Sequence, residues 1–307
     1  MQNNKFVLGI DTSNYKTSVA VTDKYGNIIC DFRKFLQVKS GEKGLRQSEA
    51  FFQHIKILPD LIEKTMLEIS GVEIVAVSVS IKPRPIEGSY MPVFLAGQSF
   101  GRVIAASLDV DLFEFSHQEG HIEAVKHYSG LKNEDNLLCF HLSGGTCELL
   151  KVENNKIEII GGTKDISIGQ LFDRIGVEMG LNFPAGDELD NIAIAGEKSN
   201  IIKQIELDDL YFNLSGIETK SLRNINTSGL IPEVFERISD LLIKLSKKAM
   251  EITEIHNIIF TGGVAESMFI REKISCNVKG NIEFGAKNLS SDNAVGISLL
   301  GGKNLWR

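Results

Sequence analysis

The sequence predicts an α/β protein built from two related lobes, and three observations carry that expectation. Strand-like and helix-like segments alternate along the chain, an order that favours sheets with helices laid on their faces. A strand, polar loop, strand and hairpin-return order occupies residues 6–35 and is repeated, without close sequence identity, over residues 137–160. Finally, 307 residues with 43% hydrophobic content, 28 glycines and only 6 prolines suffice for a substantial core and do not match disordered, collagenous or mucin-like chains.

Taken in order, Phe6-Val7-Leu8-Gly9-Ile10 reads as a buried strand that ends in the polar turn Asp11-Thr12-Ser13-Asn14. Thr17 to Val21 alternates, Asp23-Lys24-Tyr25-Gly26 is a turn, and Ile28 to Phe35 is a third strand. Gly9 serves either close backbone approach to a ligand or simple packing. Glu49 to Met66 has helical composition, with Pro59 expected to interrupt it. Val72 to Ser80 returns to strand, Val93 to Ala105 reads as helix, and Leu112 to Phe115 is a short strand before another helix. In the second half Leu137 to Leu142 leads into Ser143-Gly144-Gly145-Thr146, then Cys147 to Val152 and a return at Lys156 to Ile160. Ser239 to Thr253 forms a helix, Ile258 to Phe260 a strand, and Gly262-Gly263 a turn. Asn224 to Gly229 is expected as an exposed loop and Gly301-Gly302 as a flexible tail.

Charge narrows the function classes. With 33 Lys+Arg against 40 Asp+Glu, the net charge of -7 argues against a strongly basic nucleic-acid coat and leaves room only for a local basic surface such as Lys82 and Arg84. No apolar run approaches the roughly 20 residues needed to cross a bilayer as a helix. The opening lacks a leader-like apolar stretch, so no membrane association and a cytoplasmic location are expected. Cys30, Cys139, Cys147 and Cys276 include no CxxC pair, which indicates neither a thiolate metal cluster nor a disulfide framework.

The sharpest chemical signal is His117-Gln118-Glu119-Gly120-His121. On a helix the two histidines share a face and can aim two imidazoles at one ion, although helix-entrance and ordinary hydrogen-bonding roles suit them equally. Glu119 is misplaced for a metallopeptidase HExxH motif. His141 and Asp292 would add a third imidazole and a carboxylate, suiting zinc or ferrous iron, if folding gathers them; a satisfied strand histidine and a capping aspartate are the plain alternatives. His54, His127 and His256 are read as structural or exposed. Glycine pairs at 144–145, 161–162 and 262–263 can present backbone donors to phosphate or ribose, but none completes a P-loop or Rossmann fingerprint. Asp11, Asp165, Asp173, Asp187 and Asp190 offer polar contacts or metal-water coordination, or serve turns and salt bridges.

Taken as an ordered set, Gly9-Ile10-Asp11-Thr12-Ser13, the histidine pair, Ser143-Gly144-Gly145-Thr146, Asp165 through Asp173, Phe183-Pro184-Ala185-Gly186-Asp187, Leu214-Ser215-Gly216, Gly262-Gly263-Val264-Ala265 and Ser291-Asp292-Asn293-Ala294 resemble the tRNA N6-threonylcarbamoyladenosine transferase family, long misnamed glycoprotease. The resemblance runs from about residue 6 to 301. It implies a two-lobed actin-like ATPase fold, a duplicated ribonuclease-H-like arrangement, with residues 1–115 plus 288–307 in one lobe and 116–287 in the other. The implied reaction transfers a threonylcarbamoyl group from threonylcarbamoyl-adenylate to adenosine 37 of tRNA. One Fe(II) or Zn(II) per subunit would be bound by His117, His121, His141 and Asp292, with Asp11 as the catalytic organiser. An adenine nucleotide or acyl-adenylate would sit against Ser143, Gly144, Gly145, Asp165, Gly169, Asp173, Gly186, Asp190, Gly262, Gly263 and Ser267. The partners implied are tRNA and paralogous or ATPase accessory proteins.

The chain also departs from the family pattern. Tyr15 and Lys16 stand where acidic residues are usual, Lys82-Pro83-Arg84 replaces GPG, Thr146 stands where SGG is normally followed by His or Asn, Glu218 occupies a commonly basic position, and Ser267 replaces asparagine. These changes are those of a divergent paralogue. They keep open a carbamoyltransferase with another acceptor and a catalytically weak nucleotide-binding scaffold.

Overall fold

The computed structural model describes residues 5–13, 15–38, 45–154, 156–286, 289–290 and 294–306. The chain divides into two compact units, Met1–Gln37 with Gly44–Tyr128 and Ser291–Arg307, and Val38–Lys43 with Ser129–Ser290. The divisions between the two units fall at 128/129 and 290/291.

The first unit contains strands β1 (Lys5–Thr12), β2 (Lys16–Asp23), β3 (Ile28–Phe35), β4 (Glu73–Lys82) and β5 (Asp111–Ser116), with helices α1 (Gln47–Glu68), α2 (Phe94–Leu108), α3 (His117–His127) and, near the C-terminus, α9 (Val295–Leu305). Its five-stranded sheet has the order β3-β2-β1-β4-β5. The first three strands form an antiparallel meander, and β4 and β5 add in parallel. Because β1 is flanked on both sides and covered on both faces, its run Phe6 to Thr12 is buried throughout, and an unbroken apolar strand is what such a position demands.

The second unit contains β6 (Asn136–Leu142), β7 (Cys147–Glu153), β8 (Lys156–Thr163), α4 (Ile168–Glu178), α5 (Gly186–Ala195), β9 (Tyr211–Phe212), α6 (Ser215–Arg223), α7 (Leu230–Thr253), β10 (Asn257–Thr261), a 3-10 turn (Gly263–Glu266), α8 (Met268–Asn277) and β11 (Asn281–Phe284). The order β11-β10-β6-β7-β8-β9 is the first sheet's pattern again: a meander, two parallel strands beside its first strand, and one extra edge strand. The two-lobe expectation therefore rests on a repeated topology. Each unit has its own apolar core, the first around Leu8, Ile10, Val77 and Val79 and the second around Phe140, Phe260, Phe235 and Leu171.

Two local expectations are corrected and one open alternative is decided. Helix α1 runs through Pro59 without interruption. Pro59 is exposed, and the carbonyl that loses its helical donor is that of Ile55, one turn earlier. The Gly301-Gly302 pair lies buried inside α9, where a Cβ on Gly301 would stand 1.8 Å from Ser78 Oγ. Gly9 serves packing: a Cβ there would meet Ala294 O at 2.5 Å and Ser298 Cβ at 2.8 Å, so the sheet accepts α9 directly. Ser298 Oγ then bonds Val7 O at 2.8 Å and Thr22 Oγ1 at 2.7 Å. Helix α3 lies against α9 at a glycine crossing, Gly120 beside Ile297 and Gly296 beside the Gly120 carbonyl, which is why α3 belongs to the first unit.

Candidate functional site

In the first unit the histidine pair is built by a helix start. Ser116 caps α3 by accepting from Glu119 N at 3.2 Å, while Glu119 Oε2 accepts from Ser116 N at 2.7 Å. This capping box fixes the first turn, so His117 opens the helix and His121 follows one turn later on the same face. The imidazoles are edge-to-face with centroids 4.3 Å apart, and their Nε2 atoms face one another at 2.9 Å. From the other side, His117 Nδ1 donates to Asp11 Oδ1 at 3.0 Å, and the same oxygen accepts from Ser80 Oγ at 2.5 Å. Asp11 and Ser80 have no solvent exposure, and His121 has 2%.

The proton arrangement follows from Asp11. Against an ionised Asp11, which only accepts, a neutral His117 carries its proton on Nδ1 and turns its Nε2 lone pair toward His121. Two ring nitrogens at 2.9 Å then share one proton, and loss of that proton would leave each nitrogen with a lone pair for a cation. Asp11 behind the ring supplies the carboxylate–histidine support usual for metal-bound imidazole. The donor set fits a divalent metal, with Asp11 touching His117 from behind and not serving as a third donor. Among the described residues no group of three or more His, Cys, Asp or Glu side chains has metal-holding geometry.

In the second unit, the Ser143-Gly144-Gly145-Thr146 turn joins β6 to β7. Ser143 N donates to Thr146 O at 2.7 Å, and Ser143 Oγ accepts from Thr146 N at 3.0 Å. The start of α4 presses on this turn: Ser167 Oγ donates to Gly144 O at 2.8 Å, and a Cβ on Gly169 would lie 2.6 Å from Gly144 Cα and Ser143 O. Gly262 has φ +93°, and a Cβ there would meet Leu142 O at 2.2 Å, which stacks this second glycine turn on the end of β6. By contrast a Cβ on Gly144, Gly186 or Gly263 would meet nothing within 4 Å, so these three edges are open.

A sequence model of TsaD, tRNA N6-adenosine threonylcarbamoyltransferase, matches residues 36–299. The chain belongs to the TsaD family. That family is a transferase family, and relatives named tRNA N6-adenosine threonylcarbamoyltransferase are similar along most of their length. The Neorickettsia sennetsu protein is 27% identical, covering 96% of this chain and 92% of its own. A Streptococcus pneumoniae protein is 27% identical over 94% and 89%. Among solved structures, full-length HypF in its phosphate- and nucleotide-bound form superposes with TM-score 0.64 at 13% identity, covering 99% of this chain and 56% of HypF, so this chain spans only about half of that protein. A ROK family protein from Streptococcus pneumoniae in complex with sucrose superposes with TM-score 0.60 at 12% identity, over 98% and 99%. The fold is that of the actin-like ATPases.

Placed on this TsaD-family fold, the residues singled out from sequence separate into groups. His117, His121 and Asp11 come together in the first unit. His141 lies buried on β6 in the second, opposite Glu148 and beside Thr261. Asp292 lies outside the described residues. Gly144, Gly145, Gly169, Gly262 and Gly263 line the two glycine turns. Three of the carboxylates, Asp165, Asp173 and Asp190, are engaged with backbone. Asp165 accepts from Leu214 N at 2.8 Å, Ser215 N at 2.9 Å and Ile166 N at 2.7 Å, which caps α6. Burial opposes its charge, but these donors prevail and hold its pKa at about 2. Asp190 accepts from Ser267 Oγ at 2.5 Å and Met268 N at 2.8 Å at the start of α8. Asp173 accepts from Ala185 N at 2.9 Å, and burial pushes its carboxyl up. Asp187 is exposed in the first turn of α5. His54 is structural, bridging Thr17 Oγ1 and Ser13 O at 2.8 Å each.

The residue missed from sequence is Ser80. Its signal was available: Val75-Ala76-Val77-Ser78-Val79-Ser80 places hydroxyls at every second position of a strand otherwise made of core residues. No described helix is long and apolar enough to cross a membrane.

Proposed function

We propose that this chain transfers a threonylcarbamoyl group from threonylcarbamoyl-adenylate to adenosine 37 of tRNA, using one divalent metal, Fe(II) or Zn(II), per subunit, in the cytoplasm. The observation that carries the reading is the pair of facing Nε2 atoms, 2.9 Å apart and backed by Asp11, in a chain of a tRNA threonylcarbamoyltransferase family. His117 and His121 would hold the metal; the resemblance adds His141 and Asp292 as further ligands. Ala294 donates its N–H to Ser18 Oγ at 2.6 Å, and Ser18 is the strand partner of Asp11.

When bound, the metal supplies Lewis acidity toward oxygens of the acyl donor. Asp11 keeps the proton on His117 Nδ1 and so keeps Nε2 available. In the second unit the open edges at Gly144, Gly186 and Gly263 let backbone donors approach the phosphate and ribose of the adenylate. Asp165, Asp173 and Asp190 act through the helix starts and turns they pin. With a net charge of -7, tRNA must be met by a local surface such as Lys82 and Arg84, or through paralogous or ATPase accessory proteins.

The test is anaerobic reconstitution with Fe(II) or Zn(II), synthetic threonylcarbamoyl-adenylate, unmodified tRNA and accessory factors, reading modified adenosine by mass spectrometry. Metal-dependent modification supports the reading; folded, metal-loaded protein giving none overturns it. One observation favours a second reading, a carbamoyltransferase with another acceptor or a nucleotide-binding scaffold. Lys16, where the family carries an acidic residue, places its ammonium 4.6 Å over the Phe35 ring, so a cation stands at the start of β2 where that pattern has an anion. Nucleotide binding without tRNA modification would select it.

A further inference from the structure

Burying a hydroxyl in an apolar strand costs free energy unless the hydroxyl is bonded. Ser78 and Ser80 are both fully buried on one face of β4, and they part at their contacts. Ser78 lies against Gly301 of α9, while Ser80 donates to Asp11 Oδ1 at 2.5 Å. The same oxygen accepts from His117 Nδ1 at 3.0 Å. Hydrogen bonds to a carboxylate are among the stronger ones, and the terminal torsion of an aspartate is otherwise broad and nearly two-fold. A donor fixed on the neighbouring strand therefore adds a restraint on the carboxylate oxygen that also meets the imidazole.

We propose that Ser80 is a positioning residue of the histidine pair: its hydroxyl locks the rotation of Asp11, and Asp11 in turn holds the proton of His117 on Nδ1 and its Nε2 toward His121. The inference rests on the metal reading for its use in catalysis, but its first consequence, the His117 tautomer, is a property of the metal-free protein. Without the hydroxyl, Asp11 turns more freely, the Nδ1–H tautomer has a less firmly held acceptor, and the ring populates orientations in which Nε2 no longer converges with that of His121. Loss of such an outer support typically lowers metal affinity by 10–100-fold.

The experiment compares the full chain with Ser80→Ala, Ser80→Thr and Ser78→Ala. Ser78→Ala makes the same chemical deletion on the same strand face away from Asp11. In metal-free protein at one fixed pH, nitrogen-15 shifts of His117 should report Nδ1–H in the wild type, in Ser80→Thr and in Ser78→Ala, and a mixed tautomer in Ser80→Ala. Titration with Co(II) and Zn(II) should show roughly a tenfold affinity loss in Ser80→Ala, recovered in Ser80→Thr. If Ser80→Ala does not fold, Ser80→Cys, close in volume and a weaker donor, should change both readouts in the same direction. A wild-type tautomer and affinity in folded Ser80→Ala, or an equal loss in Ser78→Ala, overturns the role of Ser80 and leaves the metal reading intact. A wild type that binds no metal, with the tautomer still shifting in Ser80→Ala, supports the role of Ser80 and removes the metal reading.

Discussion

Replacing Gly169 by alanine tests how the first glycine turn is held. Gly169 is the second residue of α4, just inside the Ser167 cap that bonds Gly144 O at 2.8 Å. An added Cβ would lie 2.6 Å from Gly144 Cα, 2.6 Å from Ser143 O and 2.9 Å from Gly144 N, where ordinary contact begins at 3.4 Å. The neighbours are backbone, so relief requires the turn or the helix start to move by about 1 Å, an overpacking cost of roughly 1–3 kcal/mol. At about 2–4 °C per kcal/mol for a unit of this size, Gly169→Ala should lower Tm by several degrees. Displacing the turn's donors should also weaken ADP, measured by calorimetric titration, by about tenfold or more. Gly144→Ala is the contrast. Its Cβ meets nothing within 4 Å, so stability should stay within about 0.5 kcal/mol of wild type while ADP affinity falls, because the methyl occupies the open edge. Unchanged Tm and ADP affinity in Gly169→Ala would refute the packing argument, and unchanged ADP affinity in Gly144→Ala would refute the placement of the nucleotide.

Three further outcomes follow from the same contacts. Burial works against the Asp165 charge, but its amide donors lower the pKa from 3.8 to about 2; its stabilisation is therefore complete above the unfolded value and lost as pH falls from about 4 toward 2. Asp165→Asn should flatten that acid limb in urea unfolding followed from pH 7 to pH 2, and an unaltered limb would contradict the assignment. Glu233, fully buried, accepts from Ser199 Oγ at 2.5 Å, Ile201 N at 3.0 Å, Ile202 N at 2.9 Å and Arg237 at 3.3 Å. Glu233→Ala strands these donors and should cost about 3–5 kcal/mol in denaturant unfolding, with Glu233→Gln milder. Gly301→Ala forces a methyl to within 1.8 Å of Ser78 Oγ and should destabilise by roughly 1–3 kcal/mol, partly relieved by Ser78→Ala.

The strands and their repeat were legible because burial on both faces leaves continuous apolar runs such as Phe6 to Ile10 and Leu137 to Leu142. The histidine pair was legible because one helical turn is a fixed distance in sequence. What spacing does not carry is approach between distant segments. Asp11 meets His117 across 106 positions, and nothing local to either residue announces it. Glycines mislead for the same reason. Gly301 read as a flexible tail and Gly9 as either ligand access or packing, whereas a helix packed on the sheet requires the missing Cβ of both. The long helix α7 begins at Leu230, nine residues before the predicted Ser239, since Pro232 falls in the first turn where a missing N–H costs nothing. Asp165 and Asp190, singled out as nucleotide contacts, bond the starts of α6 and α8, a role that resemblance alone does not disclose.

The most direct test of the central claim is the yield of threonylcarbamoylated adenosine in nucleosides digested from tRNA after incubation with metal-loaded wild type and with a folded His121→Ala variant. The account predicts modified adenosine at position 37 with wild type and its loss, together with loss of bound metal, in the variant. Equal yields from the two proteins, or none from a wild type that holds metal and nucleotide, would contradict it.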